Sequence, residues 1–337
     1  MIQVHGVLPW VLFNAFVLMM LAIDLGIFHR EAHEVPVREA LGWTVIWIGL
    51  SQIFNFGVYR FMGPEASLQF LTAYLVEYAL SVDNIFIFVL LFGYFKVPRK
   101  YQHRVLFWGI IGAILFRGSM IALGAALLER FEWVIYIFGA FLLVTGIRMA
   151  MSGDENIEVE ANPIIRGLRK FVPISSEYHG QKFIVREHHA GVLRWVVTPM
   201  FVVLMMIETT DLIFALDSIP AVFAVTRDPF LVYTSNLFAI LGLRSLYFLL
   251  SGVIHKFHFL KVGLSVILVF VGAKMLIHHY YEIPTLASLG VIGGVLLVAG
   301  MASWLFPKEA EKNSPITPEE RPIRDPETRR AGEKRKK

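Results

Sequence analysis

Apolar runs of about twenty residues alternate with short polar breaks along most of the chain, and each run is long enough to cross a bilayer as a helix. The spacing predicts nine such helices, over residues 7–28, 41–59, 68–95, 105–128, 131–150, 196–225, 229–253, 260–280 and 283–306. The fold class is therefore an all-α polytopic membrane protein. The first run, Val7–Phe28, has neither a basic n-region nor a small-residue cleavage site, and reads as a retained span. Two polar stretches interrupt the pattern. Residues 152–194 form a loop rich in charge, Pro and Gly, with a short amphipathic piece expected near Ile164–Phe171. Residues 308–337 carry four prolines and ten basic residues, the composition of a disordered tail suited to anionic lipid headgroups. The transmembrane domain is thus 1–307, and the tail 308–337.

Charge between the runs sets an expected orientation. With the C-terminus inside, inner loops and tail hold 24 of the 31 Lys and Arg, and the outer loops three: Arg60, Arg130 and Arg227. Such a bias predicts the N-terminus outside and the C-terminus and the 152–194 loop in the cytoplasm of a bacterial inner membrane protein.

The pattern also repeats. Glu77-Tyr-Ala-Leu-Ser-Val-Asp83-Asn84-Ile parallels Asp211-Leu-Ile-Phe-Ala-Leu-Asp217-Ser218-Ile at an offset of 134 residues. Ile114-Leu-Phe-Arg117 parallels Leu241-Gly-Leu-Arg244 at 127, and Thr145-Gly-Ile-Arg148-Met parallels Val271-Gly-Ala-Lys274-Met at 126. The copies, 68–150 and 196–280, each hold three helices. An odd number forces them to insert with opposite orientation, so an inverted three-plus-three repeat is expected, a recurring plan of secondary transporters.

Within that plan the acids stand out. Glu208, Asp211 and Asp217 lie in an otherwise apolar run from Trp195 to Val225, where each charge costs about 2.5–3.5 kcal/mol on insertion scales. Glu77, Ser81 and Asn84 share one helical face, matched in the second copy by Asp211, Ala215 and Ser218. Asp83 and Asp217 fall roughly 120° away from that face. Pro220 is expected to unwind the helix locally and free the carbonyl of Leu216. Buried carboxylates commonly pair with arginine, and Arg117 and Arg244 are the repeat-matched candidates. Glu77, Asp83, Glu208, Asp211 and Asp217 outnumber those two arginines by three, so the remaining charge calls for protonation or a bound cation. Oxygen donors of this kind suit Mg, Ca or Mn. Asp24, followed by His29, is either part of an inner vestibule or an interfacial acid without a role.

Composition narrows the classes further. The chain is 56% hydrophobic and 17% charged, with mean hydropathy +0.61 and no cysteine. Thiolate metal sites, disulfides, iron–sulfur clusters and thiol redox chemistry are excluded together. The eleven histidines show no metal-binding spacing: His188-His189 lies in the long loop and His278-His279 at an outer boundary. Gly290-Val-Ile-Gly-Gly294 fits a small-residue helix contact. No nucleophile–base pair or cofactor motif points to an enzyme, and the net charge of +4 gives no reason to expect nucleic acid as a partner.

At its acidic segments the sequence resembles the TerC/Alx family of bacterial integral membrane proteins, the Alx branch most of all. The likeness rests on Ala22-Ile-Asp24-Leu-Gly, Glu77…Ser81-Val-Asp83-Asn84, Tyr136-Ile-Phe-Gly-Ala-Phe-Leu-Leu, Glu208-Thr-Thr-Asp211…Asp217-Ser-Ile-Pro-Ala and Thr234-Ser-Asn-Leu-Phe-Ala-Ile-Leu-Gly-Leu-Arg244, and covers about residues 10–305. The resemblance implies manganese export within a wider superfamily of cation transporters and amino-acid exporters. It also implies an older association with tellurite resistance and the label of redox modulator. The family's intramembrane acids carry over to Glu77, Asp83, Glu208, Asp211 and Asp217.

Together these readings predict a Mn2+ efflux transporter working by alternating access, with protons as candidate counter-ions and no permanently bound cofactor. Asp83, Asp211 and Asp217 are first-choice ligands, Glu77 and Glu208 ligands or proton carriers, and Asn84 and Ser218 neutral oxygen donors. The alternative is a non-transporting scaffold in metal, tellurite or redox stress, its acids locked in structural ion pairs.

Overall fold

The computed structural model describes residues 6–23, 35–151, 173–175, 178–189, 192–251, 259–281 and 283–306. Among them the chain forms α1 (Val7–Ile23), α2 (Val37–Met62), α3 (Pro64–Tyr94), α4 (Arg99–Arg130) and α5 (Val134–Met151). A hairpin of β1 (Ile184–His189) and β2 (Val192–Val197) follows, then α6 (Pro199–Phe223), α7 (Pro229–Leu250), α8 (Phe259–Ile277) and α9 (Thr285–Leu305). Eight of these, α2 to α9, are long and apolar enough to cross a membrane; the described part of α1 has 17 residues. Each apolar run has become a helix, and the differences lie at the ends. α4 begins six residues before the predicted 105, because Pro98 starts the helix and the polar turn Arg99–Arg104 continues it. Hydropathy sees only the apolar part of such a helix. Predicted residues 24–28 and 252–253 lie outside the described residues, as do Asp24, the piece at 164–171 and the tail.

Helix α7 forms the axis of the bundle. All eighteen residues from Phe230 to Tyr247 are buried, polar Thr234, Ser235 and Asn236 included. It is enclosed by α2, α3 and α4, and α1 covers its start through rings. Phe13 and Phe54 lie 5.6 Å and 5.2 Å from Phe238, and Tyr233 donates its hydroxyl hydrogen to Asn14 Oδ1 at 2.7 Å. The turns follow from local chemistry. Gly63, at φ 97°, supplies a backbone conformation other residues avoid, and Pro64 opens α3 behind it. Asp228 caps α7, its carboxylate accepting from the amides of Phe230 (2.8 Å) and Leu231 (3.4 Å).

α3 packs on α7 and α4 on α6, while α5 lies against α8. The α5–α8 crossing is close because glycines line it. A Cβ at Gly139 would come 3.0 Å from the carbonyl oxygen of Gly272, and one at Gly146 would come 2.9 Å from that of Ser265. Moving seven residues forward along α5 moves seven back along α8, so the two helices run antiparallel. The two contacts are also reciprocal under the 126-residue offset, since Gly139 matches Ser265 and Gly146 matches Gly272. The second crossing of small residues is Gly263 of α8 against Ala299 of α9. The expected contact at Gly290–Gly294 does not form among the described residues: a Cβ at Gly290, Gly293 or Gly294 would meet nothing there within 4 Å. Spacing of glycines alone does not say which face of α9 is turned inward.

The hairpin corrects the predicted start of the sixth span. Val196 and Val197, assigned to that helix by hydropathy, belong to β2, where they pair with Val185 and Ile184. Both are buried, so an apolar strand end and an apolar helix start merged into one run. The hairpin is fastened to the adjoining ends of α3 and α4. Tyr178 donates its hydroxyl hydrogen to the carbonyl of Phe95 at 2.7 Å, and Arg104 donates to Gln181 at 2.9 Å. His188 and His189 are residues of β1, and nothing further is described of them. Elsewhere, exposed Val7, Ile53, Leu115, Val144 and Leu297 give the bundle the apolar outer surface that lipid requires.

Candidate functional site

Glu77 of α3 and Asp211 of α6, the repeat-matched acids, lie on either side of one guanidinium. Arg117 of α4 donates through Nε to Asp211 Oδ2 at 3.0 Å and through Nη2 to Oδ1 at 2.7 Å. Its Nη1 donates to Glu77 Oε1 and, at 3.3 Å, to Ser218 Oγ. Asn84 Nδ2 donates to Asp211 Oδ1 at 3.3 Å. Glu77, Ser81, Asn84, Arg117, Asp211 and Ser218 are all buried. The face Glu77–Ser81–Asn84 thus points inward as its spacing predicts, and so does Asp211–Ala215–Ser218.

The planar fork of arginine is what makes this arrangement tolerable. A buried ion costs several kcal/mol of desolvation unless geometry and hydrogen bonds repay it, and a bidentate guanidinium–carboxylate pair is the geometry that does. Asn84 of the first copy bonds Asp211 of the second, and Arg117 reaches Ser218, the repeat partner of Asn84. One acid more than the guanidinium can neutralise remains in the cluster.

A narrow cavity opens beside it, with space for about one water-sized sphere. Its lining includes Glu77, Asn84, Arg117, Asp217, Ser218 and Met149. Three buried oxygens on these residues have no hydrogen-bond partner: Glu77 Oε2, Asn84 Oδ1 and Asp217 Oδ1. Asp217 reaches the cavity from its separate sector of α6. Asp211 and Arg244 line a second cavity, together with Phe88, Gly109, Ile207 and Ile240. The Arg117–Asp211 pair thus joins a residue lining the first cavity to one lining the second.

Not every predicted residue joins this centre. Glu208 is buried against Gly112 of α4 and lines neither cavity, and its Oε2 has no partner. Asp83 belongs to α3, but its side chain is outside the described residues. Arg117 takes both acids, where the repeat led one to expect one arginine for each. Among the described residues no three His, Asp or Glu side chains converge to hold a metal ion. Pro220 also departs from expectation: α6 runs unbroken to Phe223, with Pro220 in its last turn. Pro220 lacks the amide that would bond the Leu216 carbonyl, and the helix carries the loss of that one bond without unwinding.

Sequence reasoning passed over several residues that the fold makes prominent. Met149 lines the first cavity from α5, and only its place in a matched repeat segment marked it. Gly112 is one glycine among 26 in the chain. Asn236 stands out more, since it is fully buried on α7 with both amide atoms unpartnered. A lone amide in an apolar run was its available signal.

Comparison with known proteins gives a consistent set of relatives. The profile of the "Integral membrane protein TerC family" matches residues 62–312. The chain is 47% identical over 309 residues to "Uncharacterized membrane protein STKORF319" of Myxococcus xanthus, covering 92% of this chain and 96% of that protein. It is 46% identical over 300 residues to the Escherichia coli K12 protein named "Putative membrane-bound redox modulator Alx", covering 86% and 92%. An "Uncharacterized membrane protein" of Rickettsia bellii is 38% identical over 296 residues, covering 88% and 97%. No solved structure matches.

Proposed function

The chain belongs to the TerC family of integral membrane proteins, and from that premise we propose that it exports a divalent cation, Mn2+, by alternating access across a bacterial inner membrane. The observation that carries the reading is the trio Glu77 Oε2, Asn84 Oδ1 and Asp217 Oδ1, buried, unpartnered and borne by residues of one cavity within the spanning helices. A buried polar atom left without a partner costs about 1–3 kcal/mol, so three at one place are expected to serve a ligand. Two carboxylates and an amide oxygen form a hard donor set, the kind that suits Mn2+ over soft metals. Asp211 and Ser218 complete the site once Arg117 withdraws, and Asp83 and Glu208 are proposed as further acids on the cation's route. The reciprocal contacts along α5–α8 and the meeting of repeat-matched Glu77 and Asp211 at one guanidinium support an inverted repeat over 68–150 and 196–280, with the site between the copies. In the proposed orientation the N-terminus is outside and the hairpin faces the cytoplasm.

One observation favours a second reading. Arg117 locks Glu77 and Asp211 into an ion-paired cluster, as a non-transporting scaffold would have it. Flux separates the two. Purified protein in liposomes loaded with a Mn2+-quenched dye should pass Mn2+, with Asp217→Asn and Glu77→Gln slowing it at least about tenfold, the scale of one lost charged ligand. Wild-type protein that passes no divalent metal would leave the scaffold standing. Full flux in both variants would remove this site.

A further inference from the structure

The hairpin has two faces of different kinds. In an antiparallel pair, directly opposed residues share a face and neighbours along a strand alternate between faces. Glu187 belongs to the face turned toward the preceding segment, where its Oε1 accepts from Ser175 Oγ at 2.7 Å and lies 2.6 Å from His179 Nε2. Ile184, Arg186 and Trp195 belong to the other face, since Arg186 pairs with Trp195 and Ile184 with Val197. Ile184 is 49% and Trp195 59% exposed, and the Arg186 guanidinium lies 4.2 Å from the centre of the Trp195 ring. An aliphatic side chain, an indole and an arginine stacked on it thus face outward together. Among the described residues that face carries no carboxylate.

The place of the hairpin says what meets this face. Only Thr198 separates β2 from α6, so the strands stand where a spanning helix begins. Phe183, just before β1, lies against Trp108 of α4 with ring centres 6.5 Å apart. Trp108 is exposed, three residues past Val105, where the apolar part of that helix begins. An outward tryptophan at such a level marks the headgroup region, where indoles concentrate. Charge agrees: segments 95–104 and 178–197 hold seven Lys and Arg against one carboxylate, Glu187, which is already engaged. We infer that the Ile184–Arg186–Trp195 face docks on the anionic phospholipid headgroups of the adjoining leaflet. Ile184 and Trp195 enter at the boundary between headgroup and acyl chain, and Arg186 donates to a lipid phosphate. Stacking covers one flat side of the guanidinium and leaves its N–H edge for that oxygen. Docking holds the start of α6, the helix of Asp211 and Asp217, at the membrane surface. It requires nothing of the cargo.

The chain has no cysteine, so Ile184→Cys can carry a single fluorescent dye on this face. The labelled full chain is placed in vesicles of phosphatidylcholine with or without phosphatidylglycerol. Quenching by a nitroxide lipid labelled at the headgroup is compared with quenching by a neutral water-soluble collider. With phosphatidylglycerol present the lipid quencher should prevail. In pure phosphatidylcholine the lipid-to-water quenching ratio should fall at least about fivefold, the scale of one basic residue at an anionic surface. Arg186→Gln should lower the ratio about fivefold with phosphatidylglycerol still present. Arg186→Lys keeps the charge and should lie nearer the unsubstituted arginine. High salt should lower the ratio with Arg186 in place, which keeps the test open if a variant does not fold. Water quenching equal to that of the dye on free cysteine overturns the docking. Protection from both quenchers puts protein over the face and overturns it as well, and a ratio indifferent to phosphatidylglycerol overturns the anionic headgroup. Mn2+ flux has no part in the readout, so the transporter reading stands or falls separately.

Discussion

The carboxylate of Glu208 rests on the α-carbon of Gly112, in space that a methyl group at that position would fill. The contact joins α6 to α4 a little under one turn before Asp211, and it exists because α4 has no side chain there. Glu208 is in consequence exposed to a change at a position on another helix.

Gly112→Ala should therefore act as a mutation of Glu208. The neighbour displaced is the end of a flexible side chain, and alanine is the better helix former by about 1 kcal/mol, so thermal stability in detergent should hardly change. Mn2+ flux in liposomes should fall as far as in Glu208→Gln, and the double variant should be no worse than either single one. Independent, additive losses would show that Gly112 and Glu208 do not act as a unit.

The Arg117 cluster predicts a larger effect on stability. Arg117→Gln leaves Glu77 and Asp211 facing each other without a counter-charge, a change that costs about 3–5 kcal/mol when a buried pair is broken. Removing all three charges, in Glu77→Gln/Arg117→Gln/Asp211→Asn, should recover most of the lost thermal stability, because no uncompensated ion remains. A triple variant as unstable as Arg117→Gln would place the loss in packing around the guanidinium stem.

Gly272 and Gly293 should respond in opposite ways to alanine. A Cβ at Gly272 would lie 2.7 Å from the carbonyl oxygen of Gly139 and 2.7 Å from the amide of Leu143, both backbone atoms that move only with their helix. Gly272→Ala should cost about 1–3 kcal/mol as overpacking. Gly293 has open space, and Gly293→Ala should be neutral or slightly stabilising. Melting curves of the two variants in one detergent make the comparison.

The helices were legible because each is a long apolar run, and the inward face of Glu77, Ser81 and Asn84 because helical spacing puts them together. The ion pair was legible only as a class. Charge arithmetic says that some acids meet arginine, but it cannot say that Arg117 reaches both repeat-matched acids while Arg244 turns to another cavity. That choice depends on a few ångströms of helix offset, which no local pattern encodes. Pro220 misled for a related reason: a proline breaks a helix only where helix would otherwise continue, and α6 ends three residues later. The hairpin was hidden because Val196 and Val197 are as apolar as the helix they precede.

That hairpin supplies a test of pH dependence away from the bilayer core. Burial pushes the Tyr178 phenol above its ordinary value, so the hydroxyl stays a donor to the Phe95 carbonyl beyond the point where an exposed tyrosine ionises. A group that binds its proton more tightly in the folded state contributes stability below its unfolded pKa, near 10 for tyrosine, and loses it as pH rises through the folded value. Trypsin cleavage at Lys182, Arg186 or Arg194 should therefore be slow and even from pH 7 to about pH 10, relative to a free peptide of the same sequence, and should rise only above that. Tyr178→Phe removes one hydrogen bond worth about 1 kcal/mol, so cleavage should be roughly fivefold faster at pH 7 and the rise above pH 10 should disappear. The same rise in the Phe variant would assign the alkaline release to a group other than Tyr178.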